Sequence, residues 1–71
     1  MKTYRIVVGI YSGIDEYEQQ VAEHSYSIKA RSEGQAIEKV IAIAEKLPEF
    51  DSSTKDTIEI EHIEQLKLQN K

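Results

Sequence analysis

The stretch KARSEGQAIEKV, residues 29–40, is the part of this chain that most resembles a phosphate-binding site. In it, basic residues, a serine and a glycine lead into a helical pattern. A phosphate-binding loop needs several glycines, so that successive backbone N–H groups converge on the anion, and usually a lysine at its end. Here Gly34 stands alone and Glu33 would repel a phosphate. Ser32 followed three residues later by Gln35 matches a capping box. We interpret this stretch as the start of a helix.

The two histidines, His24 and His62, are the side chains that titrate near neutrality without any perturbation. The alternation of their strands predicts that both face the helix. A zinc site needs three or four N, S or O ligands in tetrahedral range, and the nearby carboxylates point to the opposite face. The chain has no cysteine, which excludes thiolate sites and disulfides. We predict no metal and no other cofactor, and expect each histidine at the edge of the core with one nitrogen hydrogen-bonded.

Residue types for covalent or acid–base catalysis are poorly represented. There is no cysteine nucleophile, no serine on a glycine-flanked elbow and no aspartate aligned with either histidine. Glu59, Glu61 and Glu64 could form an acid–base cluster, but alternating glutamates on an outer strand face are typical of a solvated edge that blocks aggregation. A domain this small also leaves no room for a walled pocket. We predict that the protein is not an enzyme.

Length and charge narrow the class of partner. Seventy-one residues predict a single small domain, residues 1–71, with 68–71 as a frayed tail. The net charge of −4 argues against direct nucleic-acid contact, since that affinity comes mainly from Lys and Arg neutralising phosphates. An acidic surface suits a basic protein partner, although modest negative charge also serves solubility. The N-terminus lacks the long apolar run of a signal peptide or membrane span, so we expect a cytoplasmic protein without membrane contact.

The first half of the chain predicts a β-hairpin. Residues 3–12 alternate apolar and other residues with a period of two, which is typical of a strand. Gly13 and Asp15 follow as turn residues. Residues 18–31 form a second run that alternates clearly in its later half. The loop between the two runs is too long for a two-residue turn.

The second half predicts a helix and a third strand. Apolar residues from Ala36 to Leu47 fall on one arc, a wide stripe that is typical of a helix lying across a sheet. Pro48 is expected to end this helix, with Phe50 tucked under its end. In residues 57–68 one parity is shared by Ile58, Ile60, His62, Leu66 and Leu68. Ile63 breaks this pattern, so either a bulge lies near His62 or Ile63 lies on the outer face.

The element order strand, strand, helix, strand predicts an α+β fold of ββαβ type. A right-handed crossover gives a three-stranded antiparallel sheet in the order 2-1-3, with one helix packed on one face. The predicted core consists of Ile6, Val8, Tyr26, Ile28, Val40, Ile41, Ala44, Ile58 and Ile60.

The outer face of this sheet is the candidate contact surface, because the predicted helix covers the other face. The predicted protein-binding residues are Val7, Tyr11, Val21, Glu23, Glu59, Glu61 and Ile63. A part-apolar, uncovered face with a charged rim is typical of a protein contact site, although scattered exposed apolar residues are also common. An RNA-binding sheet would need two or three stacking aromatics in a basic surround, which one tyrosine on an acidic protein does not supply.

The outline of the chain, a hairpin followed by SIKARSEGQAIEKV and a charged last strand, resembles small proteins of phages and mobile elements. Some anti-CRISPR proteins share this outline, including a strand, Ala-x-Ser and helix at the junction. The resemblance carries no functional residue across. It implies inhibition of a host defence protein by occupation of its surface, in the host cytoplasm.

Two functional hypotheses remain open from the sequence. The first is a non-enzymatic protein-binding module, a phage-type inhibitor or adaptor whose acidic surface engages a basic, nucleic-acid-binding host protein. The second is a homo-oligomeric bacterial accessory protein, such as a homodimer, that pairs through its open sheet faces and holds a small ligand at the interface.

Overall fold

The computed structural model describes residues 1–13, 17–51, 53 and 56–67. It contains β1 (Lys2–Ser12), β2 (Gln19–Ala30), α1 (Glu33–Ala44) and β3 (Thr57–Leu66). The strands form one antiparallel sheet in the order β2-β1-β3, which confirms the predicted α+β fold. The predicted turn residue Asp15 and the predicted tail, residues 68–71, lie outside the described residues.

The central strand β1 supplies most of the sheet's contribution to the core. Its even-numbered residues Tyr4, Ile6, Val8 and Ile10 are all buried, as the period of two predicts. Ile6 lies opposite Tyr26 on β2 and Ile63 on β3, and Val8 lies opposite His24 and Ile60. Because β2 and β3 flank β1, both of its edges are paired along nearly its whole length.

Helix α1 packs on this inner face through small and β-branched residues. Ala36, Val40 and Ala44 recur every four residues and are fully buried, so they form one stripe along the helix. Half-buried side chains around them complete the core: Tyr26, Ile28, Leu47, Ile58, Ile60 and Ile63. Of the predicted core residues, Ile41 is half-buried and lies outside this cluster. In the described residues, no helix combines the length and the apolarity needed to cross a membrane.

The start of α1 is the capping box that the sequence predicts. The backbone N–H of Gln35 donates to Ser32 Oγ at 3.2 Å. The Gln35 side chain reaches back and accepts from the N–H of Arg31 at 2.8 Å, one residue earlier than the N-cap itself. Both bonds satisfy backbone donors at the junction of β2 and α1. The stretch that could have been a phosphate loop is therefore a strand-to-helix joint.

The helix ends earlier than the sequence predicts. Its last residue is Ala44, three residues before Leu47. The N–H groups of Lys46 and Leu47 donate to the carbonyls of Ile43 and Ala44, both at 3.1 Å, which is the tighter i to i−3 pattern. Pro48 disfavours a helical conformation at Leu47, so the last turn tightens before the proline.

A bulge in β3 changes which face several side chains occupy. Val8 lies opposite Ile60 whereas Val7 lies opposite His62, so Glu61 is the extra residue. Of the two alternatives left open by the sequence, the bulge is the one the chain adopts. Ile63 packs against the core and not on the outer face.

The same bulge corrects the predicted face of two more residues. His62 was predicted to face the helix, but it lies opposite Val7 on the outer face with an exposed side chain. Leu66 lies opposite Thr3 and is moved to the outer face in the same way. Alternation counted along an unbroken strand predicts the wrong face for residues after position 61, because one inserted residue moves every later side chain to the opposite face.

Candidate functional site

The face of the sheet opposite α1, called the open face, is where the predicted contact residues were placed. Its β1 residues are Thr3, Arg5, Val7, Gly9 and Tyr11. At the end near the hairpin, Gly9 lies between Glu23 on β2 and Glu59 on β3. We call the group Tyr11, Glu18, Glu23, Glu59 and Glu61 the acidic end.

Hydrogen bonds tie the acidic end to its own strands. The Tyr11 hydroxyl donates to the carboxylate of Glu61, the bulge residue. The Thr57 hydroxyl donates to Glu18 Oε2 at 3.1 Å and so joins the start of β2 to the start of β3. These bonds hold two of the carboxylates in fixed places on an otherwise exposed surface.

Gly9 makes this arrangement possible because it has no side chain. A Cβ built at Gly9 would collide with the Glu61 carboxylate and would lie 2.8 Å from Gln20 Nε2 and 2.9 Å from the Tyr11 ring. Three side chains from three strands therefore converge over the bare backbone of one residue. Glycine in a strand interior is typical of such close approach.

The ionisation of Tyr11 reports the electrostatic character of the acidic end. The pKa of Tyr11 is raised from 10.0 to about 12, first by its hydrogen bond to Glu61 and then by partial desolvation. The negative charges of Glu61, Glu59 and Glu18 raise this pKa further. Each effect disfavours a second negative charge, so the phenol stays protonated and donates its hydrogen bond at neutral pH.

At the other end of the open face, around Arg5 and Glu64, positive and negative side chains lie side by side. Arg5 lies opposite Glu64, and His62 Nε2 is 2.8 Å from Glu64 Oε1. The hydrogen bond with His62 lowers the pKa of Glu64, and the positive charges of Arg5 and His62 lower it further. In the described part of the chain, the salt bridges involve Glu49 and Glu64 and none of the acidic-end carboxylates. The open face is therefore polarised along its strands.

His24 lies on the helix-facing side, as predicted, away from the acidic end. Its Nε2 is 3.5 Å from Glu49 Oε2, in the turn after α1, and makes no hydrogen bond with any residue that the structure describes. The His24 ring also lies 6.3 Å from the Tyr26 ring, centroid to centroid. Among residues 1–13, 17–51, 53 and 56–67, no three His, Asp or Glu side chains converge to hold a metal ion.

The structure brings together part of the predicted contact set. Tyr11, Glu59 and Glu61 lie in one cluster, and Glu23 lies across Gly9 from Glu59. Val7 is half-buried between the two ends, and Val21 is half-exposed at a second bulge, where Ile10 pairs with Ala22 and Tyr11 with Gln20. Ile63 leaves the set because it faces the core.

Sequence reasoning missed Glu18 and the role of Gly9. Glu18 precedes β2, where an unbroken hairpin register would have placed it near the end of β1. The bulge at Val21 obscures that register in the sequence. The signal for Gly9 was available, since a glycine inside an alternating strand often marks a close approach.

A depression lies beside the start of α1, away from the acidic end. It has a volume of about 340 Å³ and is lined in part by Lys2, Tyr4, Ser32, Glu33 and Glu64. Its lysine faces two carboxylates, so its lining has no charge excess that would attract an anion. The depression therefore gives no support to the phosphate site considered for residues 29–40.

No family model, no curated protein and no solved structure matches this chain. The resemblance to small phage proteins stays a prediction.

Proposed function

We propose that this protein is a non-enzymatic binding module whose acidic end docks against a basic surface of another protein. The observation that carries the proposal is the convergence of Glu18, Glu59 and Glu61 around Tyr11, which raises the pKa of that phenol to about 12. The bonded partners that the structure shows there are hydroxyl groups and not cationic side chains, which leaves room for a cation of the partner. Arg and Lys side chains bind such carboxylates through charge-assisted hydrogen bonds.

Two carboxylates of the acidic end are held in place before a partner binds, which supports this proposal. Glu59 and Glu61 lie two residues apart on one strand, and both side chains are on the open face. The hydroxyls of Tyr11 and Thr57 fix the carboxylates of Glu61 and Glu18 before any partner arrives. A site that is already ordered loses less side-chain entropy when it binds. Concentrated negative charge also speeds the diffusional encounter with a basic protein.

The partner class that fits this surface is a protein with a basic groove, such as one that binds nucleic acid. Residues along one face of a strand recur about every 7 Å, so an acidic strand can present charges in a row to such a groove. The outline resemblance to anti-CRISPR proteins supports a defence complex of the host as the target. In that setting the protein acts as an inhibitor or adaptor in the host cytoplasm by occupying the partner's surface.

Pairing of two copies through their open faces, with a small ligand between them, has less support. The bulge at Glu61 turns Ile63 into the core and puts Glu64 and His62 on this face instead. Val7, which is half-buried, and Leu66 remain as its apolar residues on β1 and β3. So little apolar area is available that desolvating the surrounding charges would not be offset.

The test compares two double charge reversals of the same size. One is Glu59→Lys with Glu61→Lys on the acidic end, and the matched control is Glu38→Lys with Glu45→Lys on exposed positions of α1 and its C-cap. Each protein captures partners from a bacterial lysate, and the captured protein is then purified for association kinetics at several salt concentrations.

The proposal predicts a basic partner whose association rate falls with added salt. The acidic-end reversal should weaken binding at least tenfold, mainly through the association rate, and the helix reversal should leave it within about twofold. Equal losses in the two variants, or a partner that binds both as well as the parent, would refute docking through the acidic end.

A further inference from the structure

The two edges of the sheet are built differently. β1 is the central strand, so β2 and β3 each have one side that pairs with no strand among the described residues. An edge strand exposes unpaired backbone N–H and C=O groups, and proteins usually protect such an edge with bulges, prolines or charges. The edge of β3 is protected in this way, since it contains the Glu61 bulge and its outward charges Glu59, Glu61 and Glu64 are all negative.

The edge of β2 lacks most of these protections. From Ala22 to Ala30 its register with β1 is unbroken, and this segment has no proline. Its open-face side chains are Glu23, Ser25, Ser27 and Lys29, all exposed. Lys39 of α1 donates to the Lys29 carbonyl at 2.8 Å and covers that one position. A carbonyl oxygen accepts two hydrogen bonds, so this contact leaves the carbonyl able to pair with another strand.

The open-face side chains of β2 are complementary to those of a second, antiparallel copy of the same strand. In an antiparallel pair with a two-fold axis at Tyr26, Glu23 lies opposite Lys29 of the second copy and Lys29 opposite Glu23 of the second copy. Ser25 and Ser27 pair in the same way on the same face. Directly opposed side chains of opposite charge stabilise antiparallel strands, whereas like charges destabilise them.

Other two-fold registers match less well. An axis at Ser25 places Glu23 opposite Ser27 and Lys29 opposite Val21, so neither charge is paired. An axis at Ser27 pairs Glu23 with Arg31, but Arg31 lies beyond the end of β2, where the chain turns into the helix cap. The register centred on Tyr26 is therefore the one that pairs both charges within the strand.

The helix-facing side of the same edge is apolar at Ala22, Tyr26, Ile28 and Ala30, and its one polar residue, His24, would lie opposite Ile28 of the second copy. Tyr26, at the axis, would meet Tyr26 of the second copy, and aromatic pairs across strands are favourable. A two-fold axis perpendicular to the sheet keeps both helices on one face of the joined sheet. Ile43, 39 % exposed, lies one turn after Lys39 and so on the side of α1 that reaches the β2 edge.

We propose that two copies of this chain pair through their β2 edges, antiparallel and centred on Tyr26, to form a six-stranded sheet with both helices on one face. The contact shares Glu23 with the acidic end but uses none of its other residues, so it does not depend on Tyr11, Glu18, Glu59 or Glu61. Both open faces stay accessible, so the dimer presents two acidic ends.

The experiment uses two single charge reversals and their mixture. Glu23→Lys places lysines opposite each other at both symmetric positions, and Lys29→Glu places glutamates opposite each other. A one-to-one mixture of the two variants restores opposite charges at both positions of a mixed dimer. Dimer dissociation constants come from sedimentation over a concentration series, and mixed dimers are identified by native mass spectrometry.

The parent is expected to dimerise, and each variant alone should dimerise roughly tenfold more weakly, as two cross-strand pairs change from attraction to repulsion. The mixture should recover the parent constant with mixed dimers dominant. Glu59→Lys, the same charge change on β3, should stay within about twofold of the parent. Thermal unfolding of each variant confirms that it is folded.

Three results would overturn the proposal. The first is a parent protein that stays monomeric at every concentration. This result would overturn the proposal even if the β2 edge bound a foreign peptide. The second is a dimer that persists in both single variants. The third is a dimer that Glu59→Lys or Tyr11→Ala disrupts while the β2 reversals do not, since that pattern indicates packing through the open faces.

Discussion

The two faces of the same three strands differ in what they contribute. The helix-facing side contains fully buried Ile6, Val8 and Val40, whose removal from water stabilises the fold. The open face carries the acidic end, where half-buried Tyr11 donates to a carboxylate and nearby glutamates repel one another. Exposed charges contribute little to stability, so such a cluster is better explained by binding than by folding. Stability and recognition are separable in this domain, and each can be changed without the other.

Val40→Asp should give the largest effect, because it acts on the stabilising face. Val40 is fully buried among Ala36, Ala44 and the sheet. An unpaired buried carboxylate costs roughly 3–5 kcal/mol, close to the whole free energy of unfolding of a small domain. The variant should have no cooperative thermal transition by circular dichroism.

Ala42→Asp is the matched control for this prediction, since Ala42 is exposed on the same helix. It should cost less than about 1 kcal/mol, mainly through helix propensity. A native transition in Val40→Asp would show that the helix face is assigned wrongly.

The fold could be predicted because its signals are local. The alternation that places Ile6 and Val8 inward, the capping pair Ser32 and Gln35, and the stop near Pro48 each lie within a few residues of one another. The bulge at Glu61 could not be decided in this way. The sequence around Ile63 fits two solutions, and only the packing of Ile63 against the core distinguishes them.

The candidate site could be predicted in part for the same reason. Glu59 and Glu61 are two residues apart and come before the change in alternation at the bulge, so their common face could be predicted. Glu18 joins them only through the register of the hairpin and the bulge at Val21. Contacts that depend on the register between strands are set by the whole sheet and are weakly encoded in any short stretch.

Ser32→Ala should give a smaller effect, confined to stability. It removes the oxygen that accepts from the Gln35 N–H at the start of α1, which costs about 1 kcal/mol. Denaturant unfolding should show this loss, whereas Ser32→Asp, which keeps an acceptor, should stay near the parent. Partner binding should be the same in all three proteins. A large loss of binding in Ser32→Ala with little loss of stability would restore the anion site at residues 29–40.

The smallest expected effect is a change in one pKa on the open face. Glu61→Gln should lower the pKa of Tyr11 from about 12 towards its ordinary value, because it removes the charged hydrogen-bond acceptor. Ultraviolet titration of tyrosinate measures the change, and subtracting the Tyr11→Phe protein isolates this residue from the other tyrosines. Glu64→Gln, at the other end of the open face, should leave the Tyr11 pKa unchanged.

The same titration has a consequence for stability at high pH. A tyrosine whose folded pKa is raised from 10.0 to about 12 binds more protons in the folded than in the unfolded chain between these values. Its contribution is therefore complete below pH 10 and is lost as pH rises through about 12. The parent should lose stability across this interval more steeply than Tyr11→Phe does. Equal slopes in the two proteins would mean that the carboxylates do not converge on Tyr11 in solution, which would remove the basis for docking at the acidic end.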